Sequence, residues 1–199
     1  MTQIKIIRIL KKPQKRILFL GYGEEKTRLI KFLMEHNCEV YHSVQHIDDF
    51  KYDIIISFGY RYILEKNFIE SCKCPIINLH ISYLPFNRGA HPNFWSFYDN
   101  TQSGVSIHLI DEGIDTGPIL FQKKVHFKQE VTFYTTYKKL IYEIEELFIS
   151  NINDIIKFKW VEKPQISKGT FHLKKDLPNN FKGWNSNINS EIKRLKKNK

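Results

Sequence analysis

Asn78 and His80 stand two residues apart at the end of a short apolar run, Pro75-Ile-Ile-Asn-Leu79. Residues two apart on a strand point to the same face, so a side-chain amide and an imidazole would project into one crevice. Such a pair can donate hydrogen bonds to a developing oxyanion, and an imidazole exchanges protons near neutral pH. Asp115 offers a carboxylate from Asp111-Glu-Gly-Ile-Asp115-Thr-Gly117-Pro118, where two glycines and a proline dictate a tight turn. The plain alternatives are a packed structural histidine for His80 and an Asx-turn carboxylate for Asp115. Asp111, Glu112 and Asp115 are also hard oxygen ligands, but their spacing matches no calcium loop. Between the two motifs runs a long loop, residues 81–93. Long loops in compact domains are functional or disordered, and Leu84, Pro85 and Phe86 argue for order. Within it, Arg88 supplies a permanent cation whose fork suits phosphate.

These residues need a scaffold, and the pattern around them supplies one. Arg16-Ile-Leu-Phe-Leu20 and Tyr52-Asp-Ile-Ile-Ile-Ser57 read as buried parallel strands. Glu39 to Ser43, Pro75 to Leu79, Val105 to Ile110 and Ile119 to Phe127 read as further strands. Helices are expected from Glu24 to Glu35, from Glu65 to Ser71 and from about Phe94, with Pro92 near the first turn of the last. Thr132 can cap a helix running to about Ser150. Strands alternating with helices predict an α/β fold with a doubly wound, mainly parallel sheet. The sequence divides into a core over residues 1–152 and a short, irregular C-terminal extension over 153–199 that packs on it. Ile4 to Leu10 fits either an extra edge strand or a disordered leader. Gly21-Tyr-Gly23 lacks the third glycine of a dinucleotide fingerprint, Lys26 standing there, and reads as a tight turn.

Composition narrows the class. Of 199 residues, 42% are hydrophobic and 14% aromatic, which fits a globular chain rather than a disordered one. No apolar run approaches the roughly 20 residues of a membrane span. Met1 to Lys15 makes a poor signal peptide, so a cytoplasmic location is expected. Cys38, Cys72 and Cys74 have no metal or redox spacing and read as free thiols. The net charge of +10 suggests an anionic partner. Much of the excess sits in two runs, Lys11 to Arg16 and Lys193 to Lys199, which read as solvated tails.

Four segments together carry a family likeness. They are Asn78-Leu-His80-Ile-Ser-Tyr-Leu-Pro85, Arg88-Gly-Ala-His-Pro92, Gly104-Val-Ser-Ile-His108 and Asp111-Glu-Gly-Ile-Asp115-Thr-Gly-Pro118. In this order they resemble the folate-dependent formyltransferases, over roughly Arg16 to Phe127. The resemblance implies a Rossmann-like core and a formyl donor, 10-formyltetrahydrofolate, released as tetrahydrofolate. It implies catalytic roles for Asn78, His80 and Asp115. Asn78 and His80 would stabilise the oxyanion formed when an amine attacks the formyl carbon, and Asp115 would take the proton that the amine sheds. That proton inventory calls for no metal. Ser57-Phe-Gly-Tyr-Arg61 resembles the family's folate-side loop, which implies a donor site along Tyr60, Arg61, Tyr62 and Ile63 and along Ile110, Asp111, Glu112, Gly113 and Ile114.

The acceptor is read from the remainder. Pro85-Phe-Asn87-Arg-Gly-Ala-His-Pro-Asn93-Phe-Trp95 and the tail Gly169-Thr-Phe-His172-Leu-Lys-Lys-Asp176 with Trp184 are similar to members acting on nucleotide-linked amino sugars. The likeness implies a 4-amino-4,6-dideoxyhexose destined for surface polysaccharide such as lipopolysaccharide O-antigen. Asn87, Arg88, Gly89, Asn93, Trp95, Phe171, His172, Lys174 and Trp184 become the acceptor-side candidates. Arg88, His172, Lys174 and Lys175 suit a pyrophosphate, and Phe171 or Trp184 a base. Packing of the tail on the core is the plain alternative for each aromatic. Methionyl-tRNA formyltransferases resemble the core but carry a sizeable further domain, and the 50 or so residues after the long helix are too few for one. Glycinamide ribonucleotide formyltransferases carry a phosphate loop where this chain has Glu24 and Glu25. The expected partner is therefore a nucleotide sugar rather than a nucleic acid or membrane, with a homodimer as one arrangement. A tRNA-directed enzyme and a folate- or nucleotide-binding protein without turnover are the other readings.

Overall fold

The apolar runs become strands buried on both faces in the computed structural model, which describes residues 4–7, 9, 11–45, 51–127 and 131–197. Among these residues seven strands form one sheet: β1 (Lys5–Ile6), β2 (Arg16–Gly21), β3 (Glu39–Ser43), β4 (Ile54–Phe58), β5 (Ile76–His80), β7 (Gly104–Leu109) and β8 (Ile119–Lys124), in the order β1-β3-β2-β4-β5-β7-β8. β2, β3, β4, β5 and β8 share one direction, while β1 and β7 run against them. This is the mainly parallel α/β sheet read from the sequence, in a Rossmann-like fold. A short parallel pair, β6 (Arg88–Gly89) with β9 (Phe171–His172), stands apart and ties the long loop to the extension.

Alternation sorts the strand residues into two layers. Ile17, Phe19, Ile54, Ile56, Ile77 and Leu79 face a core completed by α1 (Leu29–Glu35), α4 (Phe133–Ser150) and α5 (Ile152–Ile156). Leu18, Leu20, Ile55 and Ile76 face the opposite layer with Leu64 and Phe68 of α2 (Lys66–Ser71) and its approach. Each such side chain, when fully buried, contributes on the order of 1.5–3 kcal/mol. A third cluster joins α3 (Pro92–Tyr98), the start of α4 and α6 (Ile188–Lys197) through Phe94, Trp95, Tyr98, Phe133, Ile188 and Leu195.

Local chemistry sets the ends. Thr132 caps α4 as expected: its hydroxyl accepts the Thr135 N–H at 3.1 Å, and the Thr135 hydroxyl accepts the Thr132 N–H at 3.1 Å. The helix expected from Glu24 begins only at Leu29. Residues after Gly23 are spent on a turn, with Lys26 and Thr27 donating to the Gly23 carbonyl. Thr27 Oγ1 then accepts the Leu29 N–H and donates to Glu145 of α4 at 2.6 Å. Of the segment Ile4 to Leu10, Lys5–Ile6 forms an antiparallel edge strand, while Arg8 and Leu10 lie outside the described residues. Residues 163–188 hold to the rest by backbone bonds, among them Lys163 with Ile119 in both directions, Thr170 to Pro85 and Tyr134 to Trp184.

Candidate active site

β5 places the first two residues. Ile76 packs in the α2 layer, and the next positions on that face are Asn78 and His80, beyond the reach of α2. β4 sets Ser57 beside Asn78, and antiparallel β7 sets His108 directly across from Asn78 and Ser106 across from His80. Opposite residues of an antiparallel pair share a face. Two histidines and an amide thus meet at the carboxyl edge of the parallel strands, where open α/β sheets hold ligands.

The turn after β7 delivers the carboxylate. Asp111 Oδ1 accepts the Gly113 N–H at 3.1 Å and the Thr116 hydroxyl at 2.6 Å, closing an Asx turn. Gly117 passes so near β7 that a Cβ there would lie 1.9 Å from the Leu109 carbonyl oxygen. Asp115 sits between them with φ of 54°, in the left-handed region. Its carboxylate accepts the Gly89 N–H at 2.8 Å and an Asn78 amide N–H at 3.1 Å. His80 Nδ1 lies 3.6 Å away and His108 Nε2 3.4 Å. Burial works against the charge of Asp115, but His80, His108 and the Gly89 N–H outweigh it and hold the carboxyl well below the usual carboxylate range.

Carbonyl partners fix the imidazole protons. His80 Nε2–H donates to the Asn87 carbonyl at 3.1 Å, which turns Nδ1 to Asp115. His108 Nδ1–H donates to the Leu109 carbonyl at 2.7 Å, which places Nε2 3.2 Å from Asn78 Nδ2 and 3.4 Å from the Asp115 carboxylate.

This cluster opens into a cavity of about 500 Å³. Every residue expected on the donor side lines it, from Tyr60 to Ile63 and from Ile110 to Ile114, together with Gly89, Phe171, His172 and Lys174. A second cavity of about 320 Å³ is walled by His91, Asn93, Phe133, Tyr134, Tyr137 and Trp184, and shares Ile81 and Pro92 with the first. Tyr22 from the first and Tyr137 from the second join their hydroxyls at 2.8 Å.

A scan against family models matches residues 15–152 to the formyl transferase family. The chain belongs to that family. A methionyl-tRNA formyltransferase from Thermodesulfovibrio yellowstonii is 39% identical over 129 residues, covering 63% of this chain and 41% of the relative. A dTDP-4-amino-4,6-dideoxyglucose formyltransferase from Mycobacterium bovis is 30% identical over 140 residues, covering 70% of this chain and 58% of the relative. The chain thus spans about half the length of these curated relatives. Among solved structures, the formyltransferase PseJ from Anoxybacillus kamchatkensis, in complex with UDP-4,6-dideoxy-4-formamido-L-AltNAc and tetrahydrofolate, is 39% identical. It superposes with a TM-score of 0.82 over 89% of this chain and 97% of that one.

In this member of the family the acceptor-side candidates divide. Gly89, Phe171, His172 and Lys174 line the first cavity, and Asn93 and Trp184 the second. The structure gives three others different tasks. The Asn87 side chain is fully buried, donating to Thr101 Oγ1 at 2.8 Å and accepting from Thr170 Oγ1 at 3.2 Å; its backbone carbonyl is what touches His80. Arg88 turns its guanidinium onto Gln165 Oε1, at 3.0 and 2.8 Å, rather than into a cavity. Trp95 lies beneath the His172 ring, stacked at 3.8 Å and 4°. His172 is committed further by Asp99, whose carboxylate is 2.7 Å from Nε2. The residues that sequence reasoning missed are His108, Tyr22, Tyr137 and Gln165. His108 was readable in principle, since Ser106 and His108 repeat the two-residue spacing of Asn78 and His80. Gln165, in a coil stretch, carries no signal of its own.

Proposed function

We propose that this formyl transferase moves the formyl group of 10-formyltetrahydrofolate onto the amine of a nucleotide-linked amino sugar. The observation that carries the reading is the junction of two cavities at Ile81 and Pro92, one holding the Asn78, His80 and Asp115 cluster and the other walled by aromatics. The first falls within the roughly 300–1,000 Å³ of small-molecule sites. Strand-end backbone and the rings of Tyr60 and Tyr62 suit a flat, hydrogen-bonding pterin there. The second offers Trp184 and Tyr134 for stacking on a base, with Lys174 near the junction for phosphate. The likeness to PseJ over nearly its whole length supports the same assignment.

The donor supplies the formyl carbon, and the protein's residues manage charge and protons. Asn78 amide N–H groups and His80 Nε2–H present donors toward the oxyanion, competing there with their resting partners, Asp115, His108 and Asn87. Asp115, its carboxyl held well below the usual range, faces His80 Nδ1 and accepts the amine's proton, directly or through water, and that proton is returned to the donor's nitrogen as tetrahydrofolate departs. Gly89 N–H keeps the carboxylate pointed at the cluster.

Purified protein with 10-formyltetrahydrofolate is expected to release tetrahydrofolate with a 4-amino-4,6-dideoxyhexose linked to dTDP, UDP or GDP. Silence across that panel overturns the sugar reading. The 39% identity to a methionyl-tRNA formyltransferase favours the second reading, and turnover with methionyl-tRNA would establish it. Donor binding without turnover on either would make the protein a binding module. A role in surface polysaccharide synthesis and a cytoplasmic location belong to the sugar reading; among the described residues no helix is long and apolar enough to cross a membrane. A homodimer belongs to it too: Val161 and Ile166 of the extension are 72% and 96% exposed, apolar surface that a second copy can cover. Light scattering checks that point.

A further inference from the structure

Asp115 needs more than its carboxylate partners. A left-handed backbone at a residue with a Cβ costs about 1–2 kcal/mol, so something must hold the adjoining backbone. Gln165 does so: its side-chain amide donates to the Asp115 carbonyl at 3.0 Å and to the Gly117 carbonyl at 2.7 Å. Both amide hydrogens are used, on two carbonyls that follow the Asp115 Cα in the turn. The amide oxygen is used as well, accepting Arg88 Nε at 3.0 Å and Arg88 Nη2 at 2.8 Å. A cation on the oxygen polarises the amide and strengthens its N–H donors.

The geometry converges on one residue from two directions. Gly89 grips the Asp115 carboxylate, while Arg88, its neighbour in β6, grips the Asp115 peptide through Gln165. Gln165 is itself tethered. Two residues earlier, Lys163 exchanges a pair of 2.9 Å backbone bonds with Ile119, and five residues later Thr170 N–H reaches the Pro85 carbonyl. We propose that Gln165, polarised by Arg88, is a positioning residue for the catalytic carboxylate. Its amide clamps the left-handed turn so that Asp115 meets His80 and Asn78. The proposal rests on the formyl-transfer reading for the role of Asp115. It also replaces the phosphate role that the sequence suggests for Arg88.

Three variants test it. Gln165→Ala removes the clamp. Gln165→Glu keeps a partner for Arg88 but presents carboxylate oxygens to two carbonyls, so it separates holding the turn from anchoring the arginine. Arg88→Met removes the polarising cation. Misplacing a catalytic group by about 1 Å costs up to about 100-fold in rate. Gln165→Ala and Gln165→Glu are therefore each expected to lower kcat about 10- to 100-fold, with KM for donor and acceptor near wild type. The Arg88→Met/Gln165→Ala double variant is expected to be no worse than Gln165→Ala alone. Gln165→Glu should regain part of its kcat as pH falls and the new carboxyl acquires a proton to donate. Thermal melts confirm folding, and the ring-nitrogen NMR signals of His80 report the Asp115 contact without any acceptor. Those signals should move in both Gln165 variants even if the wild-type protein formylates nothing on the panel, which separates this inference from the activity reading. Unchanged His80 signals, a Gln165→Glu variant with wild-type kcat, or a rise in acceptor KM alone would each overturn it.

Discussion

Replacing Asp115 with asparagine removes one charge and almost no volume. The native carboxylate accepts from Gly89 on one oxygen and from Asn78 on the other. An asparagine amide must turn its NH2 toward one of these two donors, so one buried N–H loses its acceptor and the histidines lose their counter-charge. A hydrogen bond to a charged group is worth about 1.5–3 kcal/mol, and an orphaned buried donor costs a similar amount. Taking about 3 kcal/mol, and about 2–4 °C per kcal/mol for a chain of this size, the melting temperature should fall by about 6–12 °C at pH 7. The loss of kcat should be about 100- to 10,000-fold, as for removal of an acid/base group. The pH dependence follows from the depressed carboxyl. Its stabilisation is fully present above the unfolded value of about 3.9 and is lost as pH falls toward the folded value. The gap in melting temperature between wild type and Asp115→Asn should hold steady from pH 7 to 5 and shrink below about pH 4. Calorimetry across that range, with tetrahydrofolate release as the activity assay, checks both parts. A gap that stays constant down to pH 3, or a variant retaining most of its kcat, refutes the reasoning.

Trp184→Ala should raise the acceptor KM about 5- to 150-fold, the equivalent of about 1–3 kcal/mol of lost stacking. Donor affinity should not change, because Trp184 lines only the second cavity; titration calorimetry with each ligand separates the two. Gly117→Ala should abolish activity and lower stability, since the clash at 1.9 Å is with backbone, whereas Gly113→Ala meets the end of the Thr116 side chain and should be milder; paired kcat and melting measurements show the contrast. Thr132→Ala should cost about 1 kcal/mol through loss of the α4 cap, a melting shift of about 2–4 °C with kcat unchanged.

How far the site was legible depended on how local each residue's neighbours are. Asn78 and His80 were readable as a pair because strand periodicity alone puts them on one face, and the apolar run before them could only be a buried strand. Asp115 was readable because its turn is built from adjacent residues. The start of α1 was not, since Glu24 to Lys26 have ordinary helix propensity and lose to a turn that Thr27 closes against Glu145, far along the chain. Asn87, Arg88 and Trp95 were read as acceptor contacts from the likeness of their motif to that of the sugar-directed family members. Their actual partners, Thr170, Gln165 and His172, arrive about 80 residues later in a segment with no periodicity. No local pattern announces that kind of pairing.

The route of the extension has one more consequence. Asn78, His80, His108 and Asp115 all come from the stretch that the family model covers, whereas Phe171, His172 and Lys174 of the first cavity and Trp184 of the second come from beyond it. The first cavity is thus completed from both lengths of chain, while the second, apart from Trp184, is walled from within the matched stretch. On the proposed reading, the part of the wall that the extension carries can be changed by point substitution, or exchanged as a cassette, without touching the hydrogen-bonded cluster at the sheet edge. The limit on such exchange is the anchor at Gln165: a transplanted segment that lost it would bring a new wall and loosen the carboxylate in the same stroke.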